Sequence, residues 1–320
     1  MPRKIKELQQ NIERLLAAVE VRFDEPMSGF TSFQVGGPAD ILLIPRSVGE
    51  LSDCLTVCRQ EGLDVFLLGG GTNLLVSDRG IRGVVLLLTG LAEVRVKGLQ
   101  IIASAGASVE KVCEVAADHG LSGMEFLYGL PGTIGGALWM NARCYGGEMS
   151  ELCVSAQLLT PNGESRRIAT GQSDFSYKKS PFQLMDGCIT DVVLQLHKGE
   201  QQAIRAEMQQ NYDDRVQKGH FQAPSAGSLF KNNRDFGAPT GKILDELGLR
   251  GRVSGGAAIA PFHGNIFINN GSAKAVDILD LIVLSVETAR SKLNILLEPE
   301  VRFVGEWSDE ELAPLAEVLS

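Results

Sequence analysis

The chain has 320 residues, 44% of them hydrophobic and 22% charged, with a formal net charge of −9. That length allows a sizeable core and about two domains, and the composition is ordinary for a globular enzyme. The acidic balance argues against nucleic acid or a membrane surface as the main partner, because phosphate binding wants a basic face. Small anionic substrates stay open, since basic side chains can cluster locally.

No apolar run follows the start Met1-Pro2-Arg3-Lys4-Ile5-Lys6, so no signal peptide is expected. No stretch offers the roughly 18 apolar residues of a membrane span. Val276 to Val286 comes nearest, and Asp277 and Asp280 interrupt it. A cytoplasmic protein is expected. Cys54, Cys58, Cys113, Cys144, Cys153 and Cys188 contain no C-x-x-C pair and are read as free thiols. The four histidines show no ligand spacing, and no metal is expected.

Ile5, Leu8, Ile12, Leu15, Leu16 and Val19 fall on one face of a first helix. Asp40 to Ile44 reads as a buried strand. Ser47 with Glu50 is a capping box opening a helix to Gly62, and Val65 to Leu68 completes a β-α-β unit. Strands follow at Val84 to Leu88, Val94 to Val96 and Gln100 to Ser104, then a helix from Ser108 to His119. Val154 to Thr160, Ser165 to Ile168 and Cys188 to Leu196 are further strands, with a hairpin turn at Pro161-Asn162-Gly163. Glu200 to Val216 is a polar connecting helix, Pro224 to Asn233 a loop, and Gly241 to Leu247 a short helix. Asn265 to Ile268 is a strand. In the helix Ala273 to Leu293, Val276, Leu279, Val283, Val286, Ala289 and Leu293 are expected inward. Glu300 to Val304 is a closing strand, and Ser308 with Glu311 caps a final helix.

Two stretches stand out. Gly129 to Ala137 holds five Gly or Pro in nine residues, either a tight turn or a backbone cradle for a phosphate-bearing ligand. Gly69-Gly70-Gly71-Thr72-Asn73-Leu74-Leu75 directly follows a buried strand, where α/β proteins hold phosphates. It is neither a Rossmann fingerprint nor a Walker loop. Gly237 to Lys242 also fails as a Walker loop, being one residue short with Ile243 where a hydroxyl is needed.

Together with Thr31 to Asp40, Gly123 to Asn141, Pro224-Ser225-Ala226-Gly227-Ser228-Leu229-Phe230-Lys231-Asn232 and Leu297-Glu298-Pro299-Glu300-Val301-Arg302-Phe303, these segments resemble a known family. They are similar, in order, to the vanillyl-alcohol-oxidase-like flavoproteins and more specifically to the UDP-N-acetylenolpyruvoylglucosamine reductase family. The resemblance runs from about Met27 to Gly305. The shorter connection before Pro224 looks like the compact type, which lacks a tyrosine-bearing loop over the substrate.

The resemblance implies an α+β chain, with a two-subdomain FAD-binding fold and a C-terminal α/β substrate domain. It divides as an N-terminal helix at 1–20, an FAD-binding domain at 21–199 (subdomains about 21–90 and 91–199), a substrate domain at 200–305 and a C-terminal helix at 306–320. It implies FAD as cofactor, NADPH as co-substrate and a UDP-sugar as substrate. The oligomeric state stays open, a monomer included. Cofactor contacts are implied for Gly69, Gly70, Gly71, Thr72, Asn73, Leu74, Gly129, Pro131, Gly132, Thr133, Gly135, Gly136, Asn141 and Arg302. Substrate contacts are implied for Tyr177, Lys231 and Asn232. In the family's reaction NADPH reduces FAD, a hydride passes from flavin N5 to the vinyl carbon of an enolpyruvyl ether, and a proton reaches the adjacent carbon. Ser228 matches the proton donor, whose alkoxide must be stabilised by nearby charge and donors. Glu300 matches the catalytic glutamate, expected as a neutral acid beside the substrate carboxylate. Glu298 is expected in a surface ion pair with Arg302.

Two departures stand out. Lys178 stands where the family usually has an arginine that polarises the substrate carboxylate. It keeps the charge and loses the planar fork. Arg143 stands where the family commonly has a small residue, beside the turn or a flavin phosphate. Two alternatives share part of this pattern: another FAD enzyme on the same fold, such as an oxidase, and a non-catalytic flavin or nucleotide binder.

Overall fold

The computed structural model describes residues 2–319, with side chains from Leu8 to Leu319. Ile5, expected on the apolar face of the first helix, has its side chain outside the described residues. The chain forms two compact units, each assembled from separated stretches. The first is Met1–Phe23, Ile41–Gly70 and Gly83–Asp214; the second is Asp24–Asp40, Gly71–Arg82 and Arg215–Ser320. The units therefore do not follow contiguous segments: two short pieces from the N-terminal third belong with the C-terminal one.

In the first unit, Ile12, Leu16 and Val19 join Ile41, Leu43, Leu51, Cys54, Cys58, Val84 and Leu86 in one core. The helix Val48–Gln60 starts where Ser47 Oγ accepts the Glu50 N–H at 3.1 Å. The return half of the expected capping box is shifted by one residue, because the Glu50 carboxylate takes the Arg46 N–H at 2.8 Å. Strand Val65–Leu68 pairs in parallel with Ile81–Leu87, Val65 opposite Val84. In sheet order Ile81–Leu87 lies between Val65–Leu68 and Pro38–Ile44. The expected β-α-β unit thus has a later strand inserted at its centre.

A second, antiparallel sheet runs Ser165–Ala169, Cys153–Leu159, Cys188–Gln195, Gln100–Ser104, Val94–Lys97. The helix Val109–Asp118 buries Val109, Val112, Cys113 and Ala116 in the same core as Ile101, Ala103, Val192 and Leu194. Ser108 caps it by accepting the Lys111 N–H at 3.2 Å. All six cysteines are free thiols. Burial pushes the Cys54 thiol up to about 12, with Cys58, Asp53 and Glu50 adding to it, and lifts Cys58 to about 11 and Cys188 to about 12. These are core groups kept as neutral thiols.

In the second unit, strand Leu74–Val76 pairs in parallel with Arg302–Val304, Leu74 opposite Arg302. Val253–Ser254, Ala257–Ile259 and Phe267–Asn269 form an antiparallel sheet. The helix Ala275–Leu293 shares a core with Phe33, Leu229, Phe230 and Phe267. Its inward face corrects the expected one. Ala275, Ile278, Leu279, Ile282, Val286 and Ala289 are buried, while Val276 and Val283 are half-buried and Leu293 is 49% exposed. Apolar residues occupy most of this helix's circumference, so more than one stripe satisfies a helical period. Asn294, at φ 55°, ends it.

Among the elements that carry no expectation from the sequence are strands Glu20–Pro26, Leu74–Val76 and Ala257–Ile259 and helix Ile134–Trp139. No helix among the described residues is long and apolar enough to cross a membrane.

Candidate active site

The first unit holds the Gly-rich stretch, which resolves into a turn and a short helix. Gly129 and Gly132 adopt φ of 74° and 121°, where a Cβ would be strained. Thr133 then turns extended and caps helix Ile134–Trp139, its Oγ1 accepting the Gly136 N–H at 3.3 Å. The stretch is pinned from below: Val109 donates to Gly132 O at 3.1 Å, Ile134 to Ala107 O at 2.9 Å and Gly135 to Ala105 O at 2.8 Å.

The strand-end glycines lie against this stretch. A Cβ on Gly70 would sit 2.7 Å from Gly132 Cα, and one on Gly69 would sit 2.6 Å from Thr133 Oγ1. The structure thus brings Gly69 and Gly70 together with Gly132 and Thr133. The glycines first allow two backbone segments to touch. Gly135 is small for a related reason, since a Cβ there would meet Ala105 Cβ at 2.6 Å. Neither Gly69 to Asn73 nor Gly129 to Ala137 contains an acidic side chain. Their donors are backbone N–H, hydroxyl and amide groups, a set that suits the pyrophosphate of FAD.

Asn141 is fully buried at φ 43°, and both ends of its amide are used within the unit. Oδ1 accepts the Ser150 N–H at 3.0 Å, and Nδ2 donates to Ser176 O at 3.0 Å. That second bond holds a two-residue turn in which Ser176 and Lys179 exchange backbone bonds at 3.0 and 3.1 Å, with Tyr177 and Lys178 at its tip. Lys178 sits at φ 61° with its ammonium 5.8 Å from the centre of the Tyr177 ring. Gln183 Nε2 donates to Lys178 O at 3.0 Å and to Trp139 O at 2.7 Å. Arg143 is exposed in a hairpin, paired across from Glu148.

The second unit holds the serine loop and the glutamate strand, whose regular part, Arg302–Val304, begins two residues after Glu300 and not at Glu300 as expected. Ser228 bridges to Ile266, and Phe230 to Pro299, both antiparallel. Glu300 donates its N–H to Leu229 O at 2.7 Å, and Lys231 donates its own to Glu298 O at 2.9 Å. Ser228 and Glu300 therefore ride on neighbouring, cross-bonded segments. Glu298 forms its ion pair with the Lys231 ammonium, in place of the expected Arg302 partner. The two face each other because Lys231 and Glu298 are paired across the backbone.

The loop Gly71 to Asn73 is tied to the same strand. Asn73 Nδ2 donates to Glu300 O at 3.1 Å, and Arg302 donates its N–H to Asn73 O at 3.0 Å. Gly71, at φ 63°, admits Phe30 O where a Cβ would otherwise lie. Asn232 Oδ1 accepts the Thr240 N–H at 2.9 Å, tying that side chain to the start of the next helix.

Sequence reasoning missed Asn265, which clasps Phe230 from the other side of the serine loop. A lone Asn before a strand carries no local signal of that bond.

These features suit an FAD-binding oxidoreductase of α+β class, and the chain's relatives are of that class. Residues 39–169 match the model of an FAD binding domain, and residues 219–304 match the model of the UDP-N-acetylenolpyruvoylglucosamine reductase C-terminal domain. The chain is 39% identical to the UDP-N-acetylenolpyruvoylglucosamine reductase of Treponema denticola, over 90% of this chain and 94% of that one. It is also 39% identical to that of Caldanaerobacter subterraneus, over 93% and 98%. The crystal structure of the Thermus caldophilus reductase superposes with a TM-score of 0.74 at 32% identity, covering 89% of this chain and 98% of that one. The chain belongs to the UDP-N-acetylenolpyruvoylglucosamine reductase family.

Proposed function

We propose that this chain catalyses the NADPH-dependent reduction of UDP-N-acetylglucosamine enolpyruvate to UDP-N-acetylmuramate, a step of peptidoglycan precursor synthesis in the cytoplasm. FAD, held by the two glycine-rich segments, would supply the hydride chemistry between NADPH and the vinyl carbon of the enolpyruvyl ether. Ser228 Oγ gives a proton to the adjacent carbon, and Glu300 acts on the same intermediate from the neighbouring strand. Lys178 compensates the negative charge that develops on the substrate carboxylate, in the place of the family's arginine. Gly69 to Leu74 and Gly129 to Gly136 hold the cofactor, with Arg302 beside Asn73. Tyr177, Lys231 and Asn232 bind the UDP-sugar. Residues 21–199 supply most of the FAD contacts and 200–305 most of the substrate contacts, although 24–40 and 71–82 fold with the C-terminal unit; a monomer is compatible with this reading.

The observation that carries this reading is the cross-bonding of the serine loop to the glutamate strand, Glu300 N–H to Leu229 O at 2.7 Å. It supports a proton donor and a carboxyl group serving one reacting centre. Asn141 is better read as a brace than as a cofactor contact, because both ends of its amide already bind Ser150 and Ser176.

The test is an anaerobic half-reaction. Flavin absorbance of the purified holoenzyme should bleach with NADPH and return on addition of the enolpyruvyl sugar, with UDP-N-acetylmuramate formed. Recovery with oxygen alone, and none with the sugar, would make it an oxidase.

A further inference from the structure

We infer that Asn265 is a positioning residue for proton delivery: its side-chain amide fixes the backbone that carries Ser228 and acts on the reaction only through it. This rests on Ser228 being the proton donor. Toward the glutamate strand, the segment Ser228 to Lys231 is held by backbone bonds from Glu300 and Lys231. Toward the other side there is one backbone bridge, Ser228 to Ile266. One residue further along, the Asn265 amide takes over from the ladder. Its Oδ1 accepts the Phe230 N–H at 2.9 Å and its Nδ2 donates to Phe230 O at 2.8 Å. Its backbone oxygen accepts the Leu229 N–H at 2.8 Å. The side chain imitates a peptide group, offering donor and acceptor together.

The clasp is rigid because it is dry. Asn265 is 2% exposed and Phe230 fully buried, with the Phe230 ring packed edge-on against Phe267 at 6.0 Å. The Asn265 N–H is itself held by His263 Nδ1 at 3.1 Å. Asp in this position would keep the acceptor and lose the donor; Ala would lose both and leave buried backbone groups unpaired. A serine hydroxyl is a weak acid, so its usefulness depends on placement at the reacting carbon. A loop that drifts by an ångström loses the reaction without losing the fold.

The experiment is single-turnover reoxidation of the NADPH-reduced holoenzyme by UDP-N-acetylglucosamine enolpyruvate. Asn265→Ala should reoxidise about 10- to 100-fold more slowly, while FAD affinity and the rate of reduction by NADPH stay within about twofold. Asn265→Asp should fall between Asn265→Ala and the native protein, and it is read in the same way where Asn265→Ala does not yield folded holoenzyme. The decisive comparison is made on Ser228→Ala. With the hydroxyl gone, adding Asn265→Ala should slow reoxidation by no more than about a further twofold. A full multiplicative loss in the double variant would overturn the inference, as would native reoxidation in Asn265→Ala beside an impaired Ser228→Ala. Native reoxidation in Ser228→Ala itself refutes the proton-donor reading, and the inference with it.

Discussion

Glu300 donates its backbone N–H to the carbonyl oxygen of Leu229, the residue that follows Ser228, at 2.7 Å. Two residues seventy-one positions apart are thereby held in register by a single peptide-to-peptide bond. Asn73 adds a second tie to the same Glu300 backbone, from its carbonyl side, at 3.1 Å. The chemistry proposed for Ser228 and Glu300 depends on this register more than on either side chain's intrinsic strength.

The contact between the two glycine segments should be intolerant of one methyl group. In Gly70→Ala the new Cβ would lie 2.7 Å from Gly132 Cα, backbone against backbone, and neither segment has a flexible tip that can yield. The expected cost is about 1–3 kcal/mol of stability, read by thermal unfolding, together with weaker FAD binding read by fluorescence titration. An unchanged melting temperature and FAD affinity would show that the segments part easily.

Lys178 should behave as a charge more than as a shape. It sits at the tip of a two-residue turn at φ 61°, braced from behind by Gln183 and Asn141. Lys178→Arg should keep kcat within about threefold, and Lys178→Ala should lower it by about 100-fold or more, as expected for loss of one group that stabilises developing charge. A sharp loss in Lys178→Arg would show that the lysine's reach, and not its charge alone, is used.

His263 predicts an acid limit to stability. Burial holds its pKa below the ordinary histidine value near 6.5, and the Arg250 and Lys218 charges act in the same direction. The folded state thus favours the neutral ring, and Nδ1 needs its lone pair for the Asn265 N–H. Above the unfolded pKa both states carry a neutral ring and the contribution is complete. As pH falls through the folded pKa, the unfolded chain having taken up its proton first, the contribution is lost. The melting temperature should therefore decline on acidification below about pH 6.5, and His263→Gln should flatten that part of the profile. A slope unchanged by the substitution would assign the acid limit to other groups.

Much of this was legible in residues that act locally. Ser47 and Ser308 each cap the helix their spacing announced and Ser108 caps the helix it was expected to begin, and the apolar run Val65 to Leu68 forms the expected strand, paired with Ile81–Leu87. What escaped depends on partners far along the chain. Leu74–Val76 is a strand only because Arg302–Val304 lies beside it. Helix Ile134–Trp139 begins with two poor helix formers, Gly135 and Gly136, and forms because Thr133 caps it and Gly135 bonds Ala105. Asn141, implied as a cofactor contact, and Asn265, expected to begin a strand, are each almost fully buried and tie separate backbone segments together. Motif order named the candidate site residues, while the braces behind them are visible only in three dimensions.

Whether Ser228 delivers the proton is decided by following the two half-reactions of Ser228→Ala separately in a stopped-flow instrument under anaerobic conditions. Reduction by NADPH should run at close to the native rate, and reoxidation by the enolpyruvyl sugar should slow by about 100-fold or more, the range of a lost general acid. Native reoxidation in that variant, with UDP-N-acetylmuramate still formed, would contradict proton delivery by Ser228.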